Sequence, residues 1–134
     1  MAFTDLATVR LHTGLLDEER VPDELIEQRL ADAHADILRD LAPAYAESTD
    51  AVLATAETEL AAAYLLRSLA LGAAFADKDL RSGDLTLRQR GRSGVLLAQA
   101  EAEERRAWGR LLPYLTKSAH PHRFTPVEPD GEGA

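Results

Sequence analysis

The sequence has no cysteine at all, and 134 residues include a single methionine, a single tryptophan, three tyrosines and three phenylalanines. Without thiols there is no disulfide framework, no thiolate metal site and no cysteine nucleophile, and the composition fits a reducing compartment. With so few aromatic rings the core has to be aliphatic. Long apolar runs are missing too. The stretch poorest in charge, Leu60 to Ala76 (LAAAYLLRSLALGAAFA), contains Arg67 and Ser68. It falls short of the roughly 20 apolar residues that a membrane span requires, so no membrane association is expected. The opening MAFTDLATVR has no basic region followed by an apolar run, so no signal peptide is expected either.

What is present is alanine, leucine and acid. Apolar residues make up 46% of the chain and charged residues 28%, a globular composition, and the length suits one domain with one core. The net charge is -8, unevenly spread: residues 1–60 hold 14 acids against 4 arginines, residues 61–134 hold 9 acids against 11 bases. A solvated acidic face accounts for such asymmetry, and so does a surface through which copies of the chain meet.

Helix signals recur along the chain. Thr4 can cap a short helix that carries Leu6, Val9 and Leu11 inward and stops at Gly14. VPDELIEQ opens the next, with Pro22 in its first turn and Asp23, Glu24 and Glu27 at the positive end of the dipole. Its apolar positions Ile26, Leu30, Ala33, Ile37 and Leu41 form one face, and Pro43 halts it. ESTD (residues 47–50) supplies caps for a longer helix reaching about Ala76, with Val52, Leu53, Ala56, Leu60, Ala63, Tyr64 and Leu69 available to the core. Apolar nearly all round in its second half, this helix belongs at the centre of a bundle. Ser93 can cap a last helix, GVLLAQAEAEERRAWGRLL, which Pro113 kinks or ends. The expected fold is all-α: a compact bundle of three main helices plus a short N-terminal one over residues 1–115, followed by a flexible tail, 116–134, rich in proline and polar residues.

Catalytic and cofactor signatures do not emerge. Two-metal bundle sites need an inward Glu-x-x-His pair, which the sequence lacks; His12 and His34 are isolated, and His120 and His122 fall in the tail. Serines and threonines sit at helix caps or in the loop, where capping explains them. The acidic runs Asp17–Glu19 and Glu101–Glu104 fall where a solvated face is expected. These features lead us to expect a protein that is not an enzyme and holds no cofactor or metal. Net negative charge opposes a dedicated nucleic-acid module, because such affinity draws on a basic field.

One segment stands apart. GDLTLRQRGRSG, residues 83–94, all but its last residue in a predicted loop over 77–93, carries Arg88, Arg90 and Arg92 with no acid after Asp84. It lacks the Gly-Lys-Ser/Thr ending of a phosphate-binding loop. Its alternation of Leu85, Thr86, Leu87 and Arg88 predicts an extended loop or hairpin arm, on which the three arginines project to one side. With Arg81, they are candidates for binding an acidic partner through forked guanidinium–carboxylate pairs. An ordinary solvated loop is the plainer alternative. In the tail, Arg123 and Phe124 are candidate anchors that fold onto a partner.

The order of elements resembles the small helical head-tail connector proteins of tailed bacteriophages, also called head-completion or adaptor proteins. The segments VPDELIEQRLADAHADIL, AETELAAAYLLRSLA and AWGRLLPYL carry the likeness, which covers about Phe3 to Leu115. The resemblance implies a structural assembly protein of a phage or prophage. It implies a ring of about a dozen copies below the portal protein, extending the DNA channel and docking the next tail or stopper protein. It further implies assembly in the host cytoplasm, residence at the virion head-tail junction, and passage of DNA without sequence-specific binding. A different reading of the same residues is a small intracellular helical regulator that binds another protein through the arginine loop.

Overall fold

The structure, a computed structural model, describes residues 2–80 and 83–116, those at 73–80 and 83–92 by their backbone alone. Among the described residues there are four α-helices and no named strand: α1 (Leu6–Thr13), α2 (Asp23–Asp40), α3 (Ala51–Leu80) and α4 (Gly83–Leu111). Single 3-10 turns follow α2 and α4, at Pro43–Tyr45 and Leu112–Tyr114. The all-α bundle read from the sequence is therefore present. No helix among the described residues is long and apolar enough to cross a membrane.

Local chemistry sets the helix ends. The first cap is Asp5 rather than Thr4: its carboxylate accepts the Thr8 amide at 2.8 Å. Thr4 is drawn instead toward α3, its hydroxyl 2.8 Å from that of Thr58. Gly14 ends α1 in the left-handed region, φ 75°, which its missing Cβ permits. Pro22 stands one position before α2, Pro43 opens the 3-10 turn past α2, and Pro113 is the second residue of the one past α4. An antiparallel bridge between Leu41 and Leu115 ties the ends of α2 and α4 together, with Ala42 N–H donating to Tyr114 O and Thr116 N–H to Asp40 O, both at 2.9 Å.

α3 is the central element. Every residue from Ala56 to Ala63 is buried, and α1, α2 and α4 all pack on it. The predicted stripe on α2, Ile26 to Leu41, is buried in full against Leu53, Leu60 and Leu65 of α3 and Trp108 and Leu111 of α4. Each such Leu or Ile contributes about 1.5–3 kcal/mol by leaving water. Two expected core positions are corrected: Leu11 is 75% exposed and Val52 is 36% exposed. Both stand next to residues that claim the inward direction, Arg10 and Leu53.

The largest correction concerns residues 83–94. They form the first turns of α4 and not an extended arm, and α3 runs four residues past the expected Ala76. Four residues of alternation are too short to fix a strand, whereas Leu, Arg and Gln all favour helix. Gly91 and Gly94 each cost a helix about 1 kcal/mol relative to Ala. The antiparallel packing of α4 along α3 offsets that cost. Ser93, expected as a cap, lies inside α4, where its hydroxyl donates to Ala70 O of α3 at 3.1 Å.

Candidate functional site

Four ionisable side chains sit where water hardly reaches, and each binds one part of the chain to another. Glu57 on α3 is fully buried. Its Oε1 accepts the backbone amides of Phe3 (2.6 Å) and Thr4 (2.9 Å), and its Oε2 lies 2.5 Å from His34 Nδ1 on α2. The Phe3 ring meets the His34 ring edge-on, centroids 5.1 Å apart. A carboxylate beside an imidazole is the pairing a general base needs, but Glu57 Oε1 here grips the segment before α1, Oε2 is taken by His34, and Phe3 packs on the imidazole. The arrangement works as a clasp.

Arg10 on α1 is the second such group. It donates to Leu15 O and Val21 O, at 2.9 and 2.6 Å, and pairs with Asp23 at 2.7 Å. The connection between α1 and α2 is thereby folded around one guanidinium.

The other two lie between α3 and α4. Glu59, 4% exposed at its side chain, takes Arg110 at 2.8 Å and Arg106 at 3.7 Å. Its hydrogen bond, and then its charge, hold the Arg110 guanidinium above its ordinary pKa. Glu104 pairs with Arg67. Glu103 holds His12 of α1 at 2.9 Å and Arg106 at 3.3 Å. Carboxylates buried under half-exposed arginines fix how α4 registers on α3, because a one-turn slip would strand them unpaired.

The clefts are open. One of about 460 Å³ lies between α2 and α3, bordered by Arg29, Asp36, Tyr64, Arg67 and Leu71. Within it Tyr64 OH donates to Asp36 at 2.5 Å, and Asp36 also takes Arg39 at 2.9 Å. Arg29 pairs with Asp32 and Arg67 with Glu104, so each ionic group of the cleft already has a partner. No group of three or more His, Asp or Glu side chains able to hold a metal ion occurs among the described residues.

Of the residues singled out in the sequence, Arg88, Arg90 and Arg92 fall on the first part of α4. In a helix, positions 88 and 92 share a face and 90 does not, so the single row expected of an extended arm is replaced by helical spacing. Arg81, Arg123 and Phe124 lie outside the described residues, as does the tail beyond Thr116. His34, expected to be isolated, meets Glu57 in the fold, and neither Glu57 nor the Arg105–Arg110 stretch was among the expected site residues. A signal for the first pair existed: Glu57 stands one residue after inward Ala56, and His34 one after inward Ala33.

Comparison with known proteins returns no matching family model, no matching curated protein and no matching solved structure.

Proposed function

We propose that this chain is a structural assembly protein of the head-tail junction of a tailed phage or prophage. About a dozen copies would close a ring below the portal, extend the DNA channel and receive the next tail component. The observation that carries the reading is the use made of its buried ionisable groups. Glu57, Glu59, Glu104 and Arg10 all hold the chain's own segments in register rather than converging on a cleft. That is the economy of a rigid building block. The helix order and the three segments that resemble head-tail connectors support the same reading, and an acidic protein suits a conduit that must not grip the duplex.

The test is electron microscopy of the chain incubated with the portal protein of the phage or prophage that encodes it. A ring seated on the portal is the expected result. Failure to co-sediment with that portal at any ratio would overturn the proposal and favour the protein-binding regulator.

A further inference from the structure

The outer side of α4 carries three arginines near its end, beyond Glu101 and Glu103. Arg105, Arg106 and Arg110 are exposed, and Leu112, one turn on from Gly109, is 50% exposed. Arg105 has no ionic partner among the described residues. Arg106 is held by Glu59 and Glu103, whereas Arg110 uses only its Nε on Glu59, which leaves its terminal nitrogens as spare donors. Guanidinium groups already fixed along one edge lose little freedom when they bind a carboxylate with the other.

The complementary surface is on the same chain. Glu18, Glu19, Glu24 and Glu27, on the α1–α2 connection and the first turns of α2, are exposed and make no ion pair among the described residues. Leu16, next to them in sequence, is 60% exposed. Within one molecule the arginines and the start of α2 lie level with different halves of α3, although the end of α1 comes near both, with Arg10 on Asp23 and His12 on Glu103. α2 runs antiparallel to α3, with Asp36 on Tyr64 and Arg29 sharing a cleft with Leu71, so its acidic start lies toward the far half of α3. Arg106 and Arg110 sit level with Glu59, in the near half.

We infer that these surfaces meet between copies: the Arg105–Arg110 face of one chain docks on the acidic start of α2 in the next, Leu112 and Leu16 being covered with them. The inference rests on the ring reading and adds which patches touch. Two different patches make a head-to-tail contact, the kind that closes into a ring. A phosphate backbone is the competing occupant for arginines, but a chain of net charge -8 is repelled by it.

The absence of cysteine makes the test clean, since an introduced thiol is then the sole one. Chains carrying Glu24→Cys and Arg105→Cys are mixed, free at high concentration and on the portal, and treated with a short bismaleimide. Circular dichroism checks that each remains folded. The expected product is the mixed Glu24→Cys/Arg105→Cys dimer, in excess of either like pair, and a ladder of multimers from the double variant. Reversal at Glu24→Arg with Glu27→Arg should cut the yield about tenfold, and Arg105→Glu on the partner should recover part of it. Like pairs in equal yield would overturn the inference. So would loss of duplex-DNA retention in Arg105→Glu with the ladder intact, which would make the face a phosphate surface. Rings on the portal without the link would overturn this contact and spare the ring reading. The link without any portal ring would do the reverse.

Discussion

Glu57 spends both carboxylate oxygens on holding the first residues and α2 to α3, so its loss is felt at three places at once. Glu57→Ala leaves two backbone amides and an imidazole without their acceptor, and a cost of about 3–5 kcal/mol is expected, read as a lower urea midpoint with unchanged slope. Asp5 and Asp50 make pH-dependent contributions. Hydrogen bonds from Thr8, side chain first and then backbone, hold the Asp5 carboxyl below its ordinary 3.8, and the Val52 amide and then Tyr114 OH do the same for Asp50. Folded values below the unfolded one mean stabilisation that is complete above about pH 4 and fades as pH falls through the folded values. Tyr114 runs the other way. Its hydrogen bond to Asp50 raises the phenol above 10.0, so that stabilisation holds below pH 10 and is lost as pH rises. Tyr114→Phe should therefore lower Tm at neutral pH and flatten both the acid and the alkaline limb of a Tm–pH profile.

At the scale of elements, α2 was fully legible because one stripe of five apolar residues meets one neighbour, and α3 because residues apolar all round require several. The start of α4 was not. Leu85 to Arg88 satisfy a period of two and a helix equally, and the choice is made by long-range packing of α4 on α3 that no local pattern records. Two substitutions check the outcome. Gly91→Pro breaks a helix and should cost about 3 kcal/mol, whereas an exposed loop would absorb it. Gly94→Ala, whose added Cβ meets nothing within 4 Å, should raise stability by about 1 kcal/mol in chemical denaturation. The polar half of the site was hidden for a related reason. Glu57 and Glu59 look like solvent-facing breaks in an apolar run, and only the approach of His34 and of Arg106 with Arg110 makes their burial affordable.

For the whole molecule, Trp108 is a convenient reporter. It is 2% exposed in the cluster shared by α2, α3 and α4, and it is the chain's one tryptophan. If the bundle unfolds as one unit, tryptophan emission and far-ultraviolet circular dichroism should give coincident urea transitions; separate midpoints would show that α3 and α4 hold together after α1 and α2 have left. The bridge between Leu41 and Leu115 fixes something further. It brings Thr116 beside the end of α2, while Tyr114 OH reaches Asp50 at the start of α3 at 2.8 Å. The polypeptide consequently departs from one pole of a rod whose thirty-residue axis spans about 45 Å. Dyes placed after Thr116 and near Leu80 would then form a molecular ruler, with energy transfer reporting which pole faces a bound neighbour.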